Sequence, residues 1–187
     1  RFFFSSSNSI KIDKNKNGKF NIKGLYEPSD FVPLAYKCIE ECDKLQEELK
    51  SIKPSTIKCL QLTDTISNHL CLILDAAELC RNVYESEEWR KAADQVFQVL
   101  GTYMEQLNAS IHLYLPLKEL LSQDLQQFTS EERRVLTEHA KELSHLHDLP
   151  THEKEKSVKY KAKIYELETL FARAVAHGPN ENNLSND

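Results

Sequence analysis

The stretch from Asp64 to Ala93, DTISNHLCLILDAAELCRNVYESEEWRKAA, decides the fold of this chain. Apolar residues recur at helical spacing on both sides of a short interruption at Val83-Tyr84-Glu85, which indicates the end of one amphipathic helix and the beginning of another. Ser86 is a favoured N-cap residue, and Glu87 and Glu88 suit the positive end of the second helix. Because short connections make consecutive helices pack antiparallel, the stretch predicts a helix hairpin around which the other helices pack.

The rest of the chain also reads as helices, and no segment shows the sustained alternation of a strand. Breaks are expected at Lys53-Pro54-Ser55, Leu149-Pro150 and Gly178-Pro179. Pro116 is expected to break or kink the pattern between a long helix that reaches Ile111 and a short extra one over Leu117–Ser122. The last helix is expected from about His152 to His177. The predicted fold class is all-α, a bundle of about five to seven helices built on antiparallel helix hairpins, spanning residues 24–177.

Three features predict where particular helices begin. Ser29 or Asp30 is expected to cap the first long helix, which runs to about Ser51. Pro33 is placed in the first turn of that helix, where its missing N–H costs little. Thr129 and Glu132 form a capping-box pattern at the start of a later helix.

The two ends of the chain differ from its middle. Residues 1–12, RFFFSSSNSIKI, carry basic, serine and phenylalanine residues but no acid, a composition typical of an organelle transit peptide. A disordered end is the alternative. The segment Asp13–Gly18 echoes the start of a calcium loop, but Gly24 stands where the bidentate Glu is required, so calcium is rejected. We therefore assign residues 1–23 to a transit-peptide-like or disordered leader and residues 178–187 to a disordered polar tail.

Charge and hydropathy exclude two classes of partner. The formal net charge is −5, with acidic and basic residues intermixed, so no basic face favours nucleic acid. The longest apolar run, Leu70–Leu74, is far too short to cross a bilayer. Neither nucleic-acid binding nor a membrane span is predicted.

The five cysteines are an odd number and all lie in predicted helices, which favours free buried thiols in a reducing compartment over disulfides. Cys38 and Cys42 share one helical face, and Cys71 and Cys80 could approach them. A metal or redox site is the alternative to a role as small core residues.

The histidines do not form a known metal motif. His139, His145, His147 and His152 are spaced six, two and five residues apart, whereas helical metal sites use pairs four apart. The only His-Glu dipeptide begins at His152, and four places later stands Lys156. A loop site of His145, His147 and His152 stays open as an alternative. No catalytic residue, metal ligand or cofactor is predicted within this chain.

Several stretches resemble the N-terminal helical region of mitochondrial intermediate peptidase, one of the thimet-oligopeptidase-like zinc metallopeptidases. They are GLYEPSDF (Gly24–Phe31), the Asp64–Ala93 stretch and LNASIHLY (Leu107–Tyr114). The most specific piece is Asp75–Arg81, DAAELCR. The resemblance covers about 24–177.

The resemblance implies a function for a longer parent protein. The family holds zinc with the two histidines of His-Glu-x-x-His and a downstream Glu, and it removes octapeptides from imported precursors in the mitochondrial matrix. None of those positions exists in this chain, so zinc is implied only for the parent. The chain would be a non-catalytic fragment that roofs the substrate channel. Its partners would be precursor peptides and the missing catalytic half.

The resemblance also suggests a processing signal in the leader. Family substrates resemble Arg-x-(Phe/Leu/Ile)-x-x-(Ser/Thr/Gly), and Arg1, Phe3 and Ser6 match that spacing. The first cut would follow Phe2, and a second would release residues 3–10. A self-contained helical module that binds a partner helix or peptide, without peptidase activity, is the alternative function.

Overall fold

The computed structural model describes residues 18–54 and 56–177, and the described residues form six α-helices and no strand. In chain order the helices are α1 (Pro28–Ser51), α2 (Lys58–Val83), α3 (Glu87–Asn108), α4 (Ile111–Leu121), α5 (Ser130–His147) and α6 (Thr151–His177). Short 3₁₀ turns precede α1 and α5. The predicted all-α class is confirmed.

The predicted helix hairpin is confirmed as α2 and α3, which pack together and against α1. The Ser86 hydroxyl accepts a hydrogen bond from the Trp89 N–H at 3.5 Å, as an N-cap should. The side chains between the three helices are almost fully buried, among them Phe31, Leu49, Ile66, Val96 and Leu100. Each such side chain contributes roughly 1.5–3 kcal/mol by leaving water, so the three helices hold the centre of the bundle.

A buried ion pair also joins the two helices of the hairpin. Arg81 Nε lies 3.2 Å from Asp94 Oδ1, and each side chain is only 8% exposed. The Arg81 guanidinium also lies 4.2 Å from the centroid of the Phe97 ring. Arg81 therefore connects the end of α2 to the first half of α3 through one charged and one aromatic contact.

The start of α1 differs from the prediction. The helix begins at Pro28 with Glu27 as its N-cap, because proline suits the first helical position. Asp30 lies in the first turn, where its carboxylate accepts hydrogen bonds from the N–H groups of Glu27 and Tyr26, both at 2.9 Å. These bonds lower the pKa of Asp30. The expected cap at Ser29 or Asp30 was thus wrong, and Pro33 lies beyond the first turn.

The break expected at Pro116 was also wrong. The chain leaves α3 after Asn108 and enters α4 through Ser110, whose backbone is extended, while Pro116 lies inside α4. One face of α4 is buried, with Leu113, Leu117 and Leu120 at 5% exposure or less. This burial holds the helix together despite the backbone hydrogen bond that Pro116 cannot donate.

Two later helix ends follow the prediction. Glu132 accepts a hydrogen bond from the Thr129 N–H at 2.8 Å, and Thr129 Oγ1 accepts one from the Glu132 N–H at 3.2 Å, so the capping box of α5 is confirmed. The last helix starts at Thr151, one residue before the expected position. The assignments of residues 1–23 to a leader and 178–187 to a tail stay predictions, since residues 1–17 and 178–187 lie outside the described part of the chain. Of the leader, residues 18–23 are described, with a 3₁₀ turn over Lys19–Asn21 and a buried Ile22.

Candidate functional site

The last helix, α6, rests on α3 through a small, partly polar face. Thr169 is fully buried, and the Tyr165 ring lies edge-on to Phe97 with centroids 5.7 Å apart. Gly101 lies directly under this ring, and a Cβ added there would meet it in ordinary contact at 3.5 Å. The glycine that weakens α3 therefore marks the place where α6 crosses it.

A buried carboxylate fixes the same contact. Glu105 of α3 is 4% exposed; its Oε2 pairs with Lys161 Nζ at 2.8 Å, and the Tyr165 hydroxyl donates to its Oε1 at 3.3 Å. Burial and the adjacent Glu105 charge raise the pKa of Tyr165 to about 12. The inner face of α6 is thus held by defined polar contacts as well as by packing.

The opposite face of α6 is apolar and exposed. We call it the outer stripe, and its side chains are 50–72% exposed: Tyr160, Ile164, Leu167, Leu170, Phe171 and Val175. They make up six of the fourteen exposed large hydrophobic side chains found among the described residues, although α6 is only one of six helices. The helix is therefore apolar on two sides, of which the bundle covers one.

The histidines that the sequence brings together do not form a metal site. His147 stacks flat on Tyr114, with ring centroids 4.6 Å apart, and burial, aided by the Lys154 charge, lowers its pKa. His145 is exposed on α5, and His152 is exposed on α6. Across the part of the chain that is described, no group of three or more His, Cys, Asp or Glu side chains could hold a metal ion.

The five cysteines are all free thiols. Cys38 and Cys42 are buried one turn apart on α1, and hydrogen bonding between their thiols lowers the pKa of Cys38 and raises that of Cys42. Cys80 is buried elsewhere, with its sulfur 3.5 Å from the Trp89 carbonyl oxygen. Cys71 is exposed, so the expectation that it is buried was wrong. The structure does not assemble the four-cysteine site that the sequence left open.

One cavity lies between α2, α3, α4 and α5. Its volume is about 130 Å³, and its walls are mostly apolar, formed by residues such as Ile66, Leu70 and Leu107. Its polar lining residues include Ser67 and Cys71 of α2 and His139 and Glu142 of α5. Its small volume and mostly apolar walls are typical of a packing defect between helices.

Two further sequence predictions concern membranes and processing. In residues 18–54 and 56–177, no helix is long and apolar enough to cross a membrane. The possible processing signal of Arg1, Phe3 and Ser6 lies outside those residues and stays a prediction. The class of protein that the described residues define is a helical bundle whose most prominent surface feature is the outer stripe.

Comparison with known proteins narrows this class. The chain is 29% identical to the mitochondrial intermediate peptidase of Malassezia globosa over 183 residues, 94% of this chain and 23% of the relative. It is 29% identical to that of Mycosarcoma maydis over 186 residues, 92% of this chain and 21% of the relative. It is 28% identical to that of Candida albicans over 139 residues, which are 72% of this chain and 18% of the relative.

The resemblance to mitochondrial intermediate peptidase is therefore confirmed. No protein-family model matches the chain. The chain spans only about a fifth of the length of these curated relatives.

Proposed function

We propose that this chain is the N-terminal, non-catalytic helical part of a mitochondrial zinc metalloendopeptidase that resembles mitochondrial intermediate peptidase. The observation that carries the proposal is the match of 92–94% of the chain to relatives of that name, of which it covers 21–23%. In this proposal the longer protein works in the mitochondrial matrix and removes octapeptides from imported precursors.

Zinc chemistry belongs to the remainder of the longer protein. The chain has no His-Glu-x-x-His sequence, and its described residues form no cluster that fits a metal ion. When bound, the zinc would activate a water molecule against a peptide carbonyl. The residues of this chain do not take part in that step, so the chain alone should not hydrolyse peptides.

The role that we assign to the bundle is to roof the substrate channel. Its centre is tightly packed, and its capped helices and buried ion pair favour a rigid body. A rigid roof would admit unfolded precursor peptides and exclude folded proteins. The catalytic part of the same polypeptide would be its permanent partner.

The gene tests this proposal directly. An open reading frame that continues past the codon for Asp187 to a His-Glu-x-x-His sequence supports it. The encoded protein should then cleave unfolded peptides in a zinc-dependent manner, while the 187-residue chain should not. A stop codon at that position would refute the proposal.

The outer stripe supports a second candidate from another class. A self-contained interaction module could bind a partner helix along that face, without metal or proteolysis. A protein that ends at Asp187 and captures a helical peptide through Leu167 would favour this candidate.

A further inference from the structure

We infer that the outer stripe of α6 is the docking surface for an amphipathic helix from the remaining part of the same polypeptide. This inference rests on the proposed function, in which about four-fifths of the longer protein lies outside this chain. It names the surface by which the helical bundle would attach to that remainder.

The spacing of the stripe favours a helix as the occupant. Tyr160, Ile164, Leu167 and Phe171 follow one another at intervals of four, three and four residues, and Ala174 continues the series. This is the heptad spacing by which one helix inserts its side chains between those of another. The stripe extends over about 22 Å at the rise of an α-helix, enough for roughly four turns of a partner helix.

The edges of the stripe specify the charge of the partner. Lys163 lies beside Ile164 on one edge and pairs with Glu166 of the same helix at 2.7 Å, and Glu168 lies beyond Leu167 on the other edge. Lys161 is already paired with the buried Glu105. A partner helix should therefore be aliphatic at its centre, with basic residues facing the edge of Glu168.

The inner face of α6 makes the stripe a defined surface rather than a fraying end. The contacts of Tyr165 and Lys161 with Glu105 set the rotation of the helix on α3. That rotation leaves Leu167 pointing away from the bundle, with 52% of its side chain exposed. The stripe is thus preorganised for a partner, which lowers the entropic cost of docking.

Thiol labelling in the full-length protein tests the inference. Leu167→Cys places a thiol in the stripe, and Glu166→Cys places one on the neighbouring side of the same turn, where the native side chain is 49% exposed. Both variants carry Cys71→Ser, which removes the exposed native thiol. Maleimide labelling rates are measured in the 187-residue chain and in the full-length protein.

In the 187-residue chain the two thiols should react at similar rates, because their sites are similarly exposed. In the full-length protein the Leu167→Cys thiol should react about tenfold more slowly, since labelling then requires the docked helix to open. The Glu166→Cys thiol should keep its rate.

Three results would overturn the inference: an unchanged rate for Leu167→Cys, equal protection of both thiols, or protection that already appears in the 187-residue chain and rises with its concentration. The last would identify a second copy as the occupant. Wild-type peptidase activity is measured separately, so an inactive full-length protein with a protected Leu167→Cys would refute the proposed function alone.

Discussion

Replacing Arg81 by methionine should be among the most damaging single substitutions in the hairpin. Arg81→Met keeps much of the aliphatic stem but removes the guanidinium that pairs with Asp94 at 3.2 Å and lies over the Phe97 ring. The carboxylate of Asp94 would stay in a site where the side chain is 8% exposed, without the Arg81 guanidinium. The substitution therefore tests the contribution of the Arg81 charge to stability more than that of its packing.

The expected magnitude follows from this burial. Removing one partner from a buried ion pair costs roughly 3–5 kcal/mol, because the remaining charge has lost its solvation and its counter-ion. We expect about 3 kcal/mol, at the lower end of that range, because both side chains keep some exposure. For a chain of this size, such a loss lowers the thermal midpoint by about 6–12 °C.

Far-UV circular dichroism measures the thermal midpoint during heating and the free energy of unfolding during urea titration. Arg134→Met is the matched control, because Arg134 pairs with Glu131 at 2.8 Å while both side chains are at least 70% exposed. The control should lose much less stability than Arg81→Met, because an ion pair in contact with water contributes little. Adding Asp94→Leu to Arg81→Met should recover most of the loss, because an apolar pair can replace a buried ionic one.

Equal losses for Arg81→Met and Arg134→Met would refute this reasoning. A loss for Arg81→Met that Asp94→Leu deepens instead of relieving would also contradict it, because the damage would then come from packing rather than from the lost attraction between Arg81 and Asp94.

Three further predictions use the same assay. Gly101→Ala should raise the free energy of unfolding by about 0.5–1 kcal/mol, since alanine favours the helix and the added methyl group meets ordinary contact at 3.5 Å; a loss would show that α6 sits closer to α3 than described. Thr129→Ala should cost about 1 kcal/mol by breaking the capping box of α5, whereas Thr137→Ala, in the exposed middle of the helix, should cost little. Burial lowers the pKa of His147 below its usual 6.5, so the stability that neutral His147 provides is complete above that pH and is lost as the pH falls; His147→Phe, which can keep the stacking on Tyr114, should flatten this dependence.

The hairpin and the capping box were predictable because their signals are local. Ser86 followed by two glutamates, and Thr129 followed by Glu132, each state a helix start within four residues. The start of α1 was misplaced for a related reason. Asp30 is a good cap residue, but here its carboxylate reaches back from the first turn to the N–H of Glu27. Asp30 does mark the start of a helix, but the sequence did not show whether it is the N-cap residue or a residue of the first turn.

The contacts between helices could not be predicted from the sequence. Arg81 and Asp94 belong to different helices, and no local pattern pairs them. The sequence shows Gly101 as a weak point of a helix, but it cannot show that the Tyr165 ring of α6 lies over that residue. The apolar pattern of α6 predicted a helix correctly but could not say which of its two faces the bundle covers. That distinction, which defines the outer stripe, needed the packed structure.

The features of the candidate site also divide into those that the sequence shows and those that only the packed structure shows. The absence of a His-Glu-x-x-His sequence can be read directly from the chain, and so can the unsuitable spacing of the histidines. That His147 stacks on Tyr114, or that Cys71 is exposed while Cys38 is buried, depends on how the helices pack.

The most direct test of the central claim is a peptidase assay on the full-length protein and on this 187-residue chain side by side. A quenched fluorescent peptide serves as substrate, with and without a zinc chelator. We predict chelator-sensitive cleavage by the full-length protein and none by the chain alone. Cleavage by the 187-residue chain, or a full-length protein without zinc-dependent activity, would contradict the claim that this bundle is the non-catalytic part of a zinc peptidase.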